Sequence, residues 1–133
     1  CHWATIEKLS QLSRVDFVIN FPLGMAIKRI IRQSFEAEED TSLDRFFGTT
    51  EWRTIFEQTG QQPHLAARRL IDLFKRNLAE LGYLEDKQIG EITNYSSSVE
   101  IRRDEGQRLY LLILASRHPL AHHLWSQAIK VDR

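Results

Sequence analysis

The sequence predicts an α/β fold, namely the second half of a doubly wound sheet that ends in an antiparallel hairpin. The segment 15–21 is β-branched, aromatic and apolar at most positions, which is typical of a strand covered on both faces in a parallel sheet. The segments 99–102 and 108–116 flank a turn signal at 104–106 and predict the hairpin. Because the parallel neighbours of the first strand are missing, we expect residues 1–133 to form a single partial domain.

The composition excludes several other classes of protein. A length of 133 residues with 42% hydrophobic and 27% charged residues is typical of one globular domain. Because 18 Lys and Arg balance 18 Asp and Glu, bulk charge attracts neither nucleic acid nor an anionic membrane. The single cysteine, Cys1, allows no internal disulfide and no multi-Cys metal site. Neither a signal peptide nor a membrane span is apparent, so we expect a cytoplasmic protein without membrane association.

Apolar periodicity predicts a helix on each side of the first strand and another at the end of the chain. Apolar residues recur every three positions between Trp3 and Leu12, which predicts a short helix. Pro22 and Gly24 end the first strand, and the segment 25–32 then has a helical pattern. Pro119 opens the final helix.

The segment 36–82 is expected to be a helical insertion. It starts with an acidic loop over 36–44, which leads into a short helical turn that stops at Gly48. A second helix ends at Gly60. The longest helix follows over 63–82, with an apolar stripe at spacings of one, three or four residues.

Four blocks of sequence occur in the order known from one protein family and span almost the whole chain. They are Trp3 to Pro22 with the core VDFVINFP, Phe46-Phe47-Gly48 with Trp52, Leu78 to Tyr83, and Leu109 to Leu120 with ASRHPL. The ordered set resembles the three-Cys-motif partner (TcmP) proteins.

The resemblance implies a Rossmann-like, methyltransferase-type fold with S-adenosylmethionine as the cofactor of the full-length protein. It also implies a partner protein that carries a three-Cys motif. The family's Gly-rich cofactor loop and acidic residue would lie before Trp3, and the six glycines present never approach the G-x-G-x-x-G spacing. We therefore expect this chain alone to bind no cofactor and to carry the methyl-acceptor side, with an unknown acceptor.

Residues at two strand ends form the candidate acceptor-binding site. Ligands in open α/β sheets bind beyond the carboxyl ends of the strands. At the end of the first strand, Asn20 would hydrogen-bond the acceptor, Phe21 would pack against a flat ring, and Pro22 follows. Arg117 and His118 follow the last strand as a second candidate pair. The alternative for both groups is a strand end followed by an ordinary turn.

Two basic helix faces offer contacts to phosphate, although a solvated surface explains most such faces. The first face consists of Arg68, Arg69, Lys75 and Arg76 on the longest helix, and the second of Lys28, Arg29 and Arg32. The alternative to methyl transfer is therefore a non-catalytic module of the same fold that binds nucleic acid or another protein.

Two polar clusters are not expected to carry chemistry. His118 and His122 are four residues apart, but Pro119 places His118 at or before the first helical turn, and a third ligand is missing. The run at 96–98 of three serines lacks a nucleophile elbow and a base, which favours a loop or a bulge. A sheet that lacks strands exposes an edge and an apolar face, so we also expect a homodimer.

Overall fold

The computed structural model describes residues 2–37, 39–84 and 98–131, which form six helices and a three-stranded antiparallel sheet. The strands are β1 (Phe17–Pro22), β2 (Ser98–Arg102) and β3 (Arg108–Ala115). The helices are α1 (Trp3–Ser10), α2 (Gly24–Glu36), α3 (Ser42–Phe47), α4 (Glu51–Gln58), α5 (Pro63–Glu80) and α6 (Pro119–Val131). The expected mixed α/β class is confirmed, and no helix in these ranges is long and apolar enough to cross a membrane.

The sheet has the strand order β1-β3-β2, with β3 antiparallel to both neighbours. It follows that β1 and β2 run in the same direction and that β3 is reversed between them. Phe17 lies opposite Ala115, and Pro22 lies opposite Tyr110. The antiparallel hairpin of β2 and β3 is confirmed. Cys1, Gly90 and the first two serines of the run at 96–98 lie outside the described residues.

The surroundings of β1 differ from the expectation of a strand covered on both faces. Its neighbour among the described residues is an antiparallel strand, and its side chains alternate between buried and exposed. Ile19 and Phe21 are buried, whereas Val18 is 48% exposed and Asn20 is also exposed. In a strand with one buried face, polar residues normally alternate with apolar ones. Val18 is apolar although it lies on the exposed face, so this alternation is not visible in the sequence of β1.

An aromatic cluster joins the sheet to the helices that cover one of its faces. The ring of Phe21 makes edge contacts with Phe46, Phe47 and Phe74, at centroid distances of 5.6, 6.4 and 5.9 Å. Phe46 and Phe74 stack at 4.9 Å. Edge-to-face and stacked pairs of this kind add to the stabilisation from burial. The segment 36–82, expected as an insertion, therefore shares one core with the sheet.

The short helix α3 is defined by its two caps. The Thr41 hydroxyl accepts a hydrogen bond from the Asp44 backbone N–H at 3.2 Å, and the Asp44 carboxylate accepts one from the Thr41 N–H at 3.1 Å. Trp52 Nε1 donates to the same carboxylate at 2.8 Å. Gly48, with φ of 72°, ends the helix in the left-handed conformation. The expected short helical turn with a glycine stop is confirmed.

Candidate functional site

A small pocket lies at the carboxyl end of β1, between α2 and α3. Its volume is about 180 Å³. Its apolar lining consists of Phe21, Pro22, Ile27, Ile30, Leu43 and Phe46. We refer to it as the β1-end pocket.

A tight turn from β1 into α2 shapes one wall of this pocket. Gly24 has φ of 61°, and a Cβ at this position would lie 2.4 Å from the carbonyl oxygen of Arg108. Only glycine allows this approach and this backbone conformation without strain. The turn brings Ile27 and Ile30, in the first two turns of α2, beside the fully buried Phe21.

Three polar residues complete the lining of the pocket. Arg45 Nη1 donates to the carbonyl oxygen of Asp40 at 2.7 Å and lies 3.2 Å from the Asp40 carboxylate. Both side chains are solvent-exposed, so this ion pair contributes little to stability. Ser42 and His2 are also exposed and lie on the lining. The guanidinium of Arg45 and the hydroxyl of Ser42 can therefore hydrogen-bond a polar substituent of a bound group.

The size of the pocket limits what it can hold. Pockets for drug-sized ligands measure roughly 300–1,000 Å³, and the β1-end pocket is smaller. Its walls of phenylalanine, isoleucine and leucine suit a flat ring or a short apolar group. The pocket therefore suits one ring-sized part of a larger molecule.

The structure separates the three predicted residues at the end of β1. Phe21 and Pro22 line the pocket. Asn20 is exposed, and it points to the opposite face of the sheet because successive residues of a strand alternate in direction. Asn20 is therefore not a member of the pocket.

Arg117 and His118 lie at the other end of the sheet, which corrects the prediction that they share a site with Asn20 and Pro22. The register places Ala115, the last residue of β3, beside Phe17 at the start of β1. The two strand ends are separated by about 17 Å along the sheet, at 3.3–3.4 Å per residue. The rule that carboxyl ends of strands meet applies to parallel strands, and β1 and β3 are antiparallel.

Arg117 contacts the carboxyl ends of both α1 and α5. Its Nη2 atom donates to the carbonyl oxygens of Ser10 and Leu81, both at 2.8 Å. Its guanidinium stacks over the ring of Tyr83 at 4.5 Å from the centroid. A positive charge at the carboxyl ends of α1 and α5 complements their dipoles and satisfies backbone acceptors that the helices leave free. The structure thus gives Arg117 a stabilising role.

The histidines of the α6 region lie at the start of that helix. His118 is exposed, and its backbone N–H donates to the Ser116 hydroxyl at 3.1 Å. His122 is buried with Nε2 3.3 Å from the Ser116 carbonyl oxygen, and His123 lies 3.1 Å from the Gln127 amide nitrogen. Within the described ranges, no group of three or more His, Cys, Asp or Glu residues could hold a metal ion.

Two of the four residues in the predicted basic face of α5 contact neighbouring elements. Lys75 Nζ donates to the Ser98 hydroxyl of β2 at 2.9 Å. Arg76 pairs with Glu51 of α4 at 3.2 Å. Arg68 and Arg69 are exposed and form no ion pair with the described residues. The amino-terminal half of this face therefore presents two cations that no carboxylate of the described residues balances.

Sequence reasoning missed most of the pocket lining. It predicted helical structure for the segments that carry Ile27, Ile30 and Phe46 and gave these residues no role in a site. The signal for a pocket was the pair Pro22 and Gly24, which forces a sharp turn directly after a buried strand end. That signal indicates where a cavity can form, but it does not identify the helices that line it.

The described residues do not fit S-adenosylmethionine. Cofactors of this size need closely spaced glycines whose backbone N–H groups approach the ligand. The described glycines lie singly in separate turns, at Gly24, Gly48, Gly60, Gly82 and Gly106. The β1-end pocket is also too small for a nucleoside-sized cofactor.

Comparisons of the chain with protein-family models, with curated proteins and with solved structures give no significant match. The resemblance to the TcmP proteins therefore remains a prediction that rests on the four sequence blocks.

Proposed function

We propose that this chain is the acceptor-side half of an S-adenosylmethionine-dependent, methyltransferase-like protein that acts with a three-Cys-motif partner. The observation that carries the proposal is the β1-end pocket. If β1 belongs to a larger doubly wound sheet, this pocket lies where substrates of such sheets bind, beyond the carboxyl ends of the strands. The four sequence blocks that resemble the TcmP proteins supply the reaction class. The methyl acceptor would be a molecule with a ring-sized apolar group.

The sheet is compatible with the end of a larger doubly wound sheet. Such sheets commonly carry an antiparallel strand near the edge of an otherwise parallel arrangement, and β3 is reversed between β1 and β2. Along its other edge, β1 pairs with no strand among the described residues. In the proposal, the parallel strands of a cofactor-binding half add to this edge.

The residues of the pocket would bind and orient the acceptor. Phe21 and Phe46 would contact a flat ring, and Arg45 would hydrogen-bond a polar substituent at the pocket mouth. S-adenosylmethionine would supply the methyl group, held by polypeptide outside the described residues. No step of the transfer itself is assigned to this chain.

Occupancy of the pocket can be measured by methyl NMR with indole as the probe. Indole should shift the signals of Ile27 and Ile30, which line the pocket, and leave Ile113 in the core unchanged. The substitution Ser42→Phe places a ring at the exposed pocket mouth and should abolish these shifts. The matched control Thr54→Phe adds the same ring at an exposed position of α4 and should preserve them. Equal shifts in both variants would contradict the pocket assignment.

Methyl transfer can be measured with the full-length protein that carries this chain. Labelled S-adenosylmethionine is incubated with the protein and a fractionated cell extract as the source of acceptors. We expect incorporation of label that falls at least about tenfold with Ser42→Phe, because the added ring blocks the pocket mouth; tenfold corresponds to about 1.4 kcal/mol of transition-state stabilisation. Thr54→Phe should retain the wild-type rate. Absence of incorporation with correctly folded protein would argue against the reaction class.

The second candidate function is a non-catalytic module that binds nucleic acid or protein. It is favoured by Arg68 and Arg69, which are exposed and form no ion pair with the described residues. Binding through them would weaken steeply as salt concentration rises. The double variant Arg68→Gln with Arg69→Gln should then lose nucleic-acid binding and keep its stability. Unchanged binding in that variant would remove this face as the interface.

A further inference from the structure

A basic groove runs along the outer side of α2, beside the start of α5. Its volume is about 630 Å³. Lys28, Arg29 and Arg32 of α2 line it, and Pro63 and His64 form part of the opposite wall. Since these are the first residues of α5, the positive end of that helix dipole also lies at the groove. We call this feature the basic groove.

The charges in the basic groove are not balanced by ion pairs. Lys28 and Arg32 are four residues apart and Arg29 and Arg32 are three apart, so like charges adjoin on one helix surface and repel. None of the three pairs with a carboxylate among the described residues. The lining carries one carboxylate, that of Glu36. By contrast, Arg45, Arg53, Arg76, Arg102 and Arg108 form ion pairs with carboxylates of the described residues.

The repulsion indicates what kind of ligand the groove favours. The chain has a formal net charge of zero, so this concentration of positive charge is local. A ligand with closely spaced negative charges would relieve the repulsion between Arg29 and Arg32. The guanidinium group matches phosphate in geometry and forms paired, charge-assisted hydrogen bonds with it.

A second recess adjoins the basic groove and shares Arg32 and Glu36 with it. Its other lining residues are Phe35, Phe56 and Gln61. The rings of Phe35 and Phe56 meet edge to face at 4.9 Å, and Phe35 remains partly exposed. An aromatic surface next to a row of cations is the combination with which proteins bind the bases and phosphates of nucleotides.

We propose that the basic groove binds the phosphate groups of a nucleotide-containing ligand, with a base in the recess beside Phe35. This site is distinct from the β1-end pocket because α2 lies between them. Ile27 and Ile30 line the pocket, whereas Arg29 and Arg32 line the groove. The proposal does not depend on methyl transfer. The same phosphate chemistry would be supplied by a nucleic-acid strand or by a free nucleotide.

The test measures the fluorescence anisotropy of a labelled single-stranded decathymidylate titrated with the 133-residue protein. The variant is Arg29→Gln with Arg32→Gln, and the control is Arg14→Gln with Arg103→Gln, which removes the same charge from exposed positions elsewhere. The groove variant should bind at least about tenfold more weakly, because it removes two guanidinium groups that form charge-assisted hydrogen bonds with phosphate. The control should change affinity less than about twofold. Thermal melting by circular dichroism verifies that all variants are folded.

Salt dependence provides a second readout of the same contacts. Each phosphate contact to a single strand contributes a slope of about −0.7 to the plot of log affinity against log salt concentration. Three cations therefore predict a slope of about −2, and the groove variant should reduce its size by about 1.4. The control variant should retain the wild-type slope.

Competition by thymidine 5′-monophosphate distinguishes the two sources of phosphate. Displacement of the labelled strand by the nucleotide at a concentration similar to that of the strand would identify a free nucleotide as the ligand. If the strand stays bound in about a hundredfold excess of the nucleotide, the ligand is nucleic acid. Either result supports the groove only if the Arg29→Gln with Arg32→Gln variant binds the ligand so identified at least about tenfold more weakly than wild type. The proposal is overturned if neither probe binds, if the control variant loses as much affinity, or if only Arg68→Gln with Arg69→Gln weakens binding.

Discussion

Arg53 and Arg117 donate hydrogen bonds to backbone carbonyl oxygens at the carboxyl ends of helices and thereby stabilise these ends. Arg53 donates to the carbonyl oxygens of Ser34 at 2.9 Å and Ala37 at 2.6 Å, and its guanidinium lies 4.6 Å from the centre of the Trp52 ring. Arg117 makes the same kind of contact at the ends of α1 and α5. Each supplies positive charge where the helix dipole is negative.

The role of Arg117 could not be predicted from the sequence. An arginine after a buried strand is equally consistent with a ligand contact and with a helix cap. The carbonyl groups that it reaches belong to Ser10 and Leu81, which are 107 and 36 positions away along the chain. Periodicity describes neighbours within one element and carries no information on such contacts.

Arg117→Ala should lower the free energy of unfolding by about 2–4 kcal/mol, because it removes two hydrogen bonds from a charged donor and leaves two carbonyls without it. The control is His118→Ala, which removes an exposed side chain and leaves the backbone cap in place. It should change the stability by no more than about 0.5 kcal/mol. Urea denaturation measures both. Equal stabilities of the two variants would show that the Arg117 contacts do not stabilise the fold.

Asp44 should make stability depend on pH. Burial by itself raises the pKa of its carboxyl, but hydrogen bonds from Thr41 and Trp52 and the charge of Arg53 outweigh this and hold the pKa below its ordinary value of 3.8. The ionised form is therefore favoured in the folded state. The stabilisation is present above the ordinary pKa and is lost as the pH falls through the lower folded-state value.

The corresponding substitution is Asp44→Asn. It should destabilise the protein by about 1–3 kcal/mol at pH 7, through weaker hydrogen bonds at the α3 cap. The difference from wild type should shrink as the pH falls below 3.8. Urea denaturation from pH 7 to pH 3 measures this, and a difference that stays constant over the range would contradict the assignment.

At the scale of elements, local patterns predict where helices and strands lie but not what surrounds them. The longest helix is expected over 63–82 and observed as Pro63–Glu80. The last strand is expected over 108–116 and observed as Arg108–Ala115. Both are marked by residues inside the element and at its ends. The environment of β1 was not predicted because its partner β3 is about 90 residues later, and only pairing decides which face is covered.

Substitution of Gly48 can show how closely the end of α3 packs against Trp3 of α1. A Cβ at this position would lie 2.5 Å from Cδ1 of Trp3, whereas Gly106 has φ of 88° and nothing within 4 Å. Gly106→Ala should therefore cost only the strain of the left-handed backbone, about 1–2 kcal/mol. Gly48→Ala should cost about 1–3 kcal/mol more, because Trp3 must move from the core.

Thermal or urea unfolding of the two glycine variants measures the difference. Since both positions have positive φ, the comparison isolates the contact with Trp3. Equal losses of stability would show that α1 does not pack against the end of α3 as described.

At the scale of the whole molecule, topology determines which residues can form one site. The end of β1 was predicted as a site, and Phe21 and Pro22 do line a pocket there. The group at Arg117 lies at the other end of the sheet because β3 is reversed. Strand direction depends on contacts between distant segments, so the sequence predicted the two strand ends without predicting their separation.

The outer edge and the exposed face of β1 predict self-association. Val18 is 48% exposed on this strand, and the edge away from β3 pairs with no strand among the described residues, which makes it a template for another strand. Light scattering from micromolar to millimolar concentration should show dimers. Val18→Lys should shift the protein to monomers because a charged residue opposes edge-to-edge pairing. The control Thr54→Lys on α4 should leave the dimer intact, and a wild-type monomer over the whole range would contradict the prediction.

The most direct test of the proposed acceptor-side role is a calorimetric titration of S-adenosylmethionine. It compares the full-length protein that carries this chain with the 133-residue chain alone. We expect heat of binding with the full-length protein and none with the isolated chain, because the described residues do not fit the cofactor. The absence of a heat of binding with folded full-length protein would contradict methyl transfer. Binding of S-adenosylmethionine by the isolated chain would contradict the division into cofactor and acceptor halves.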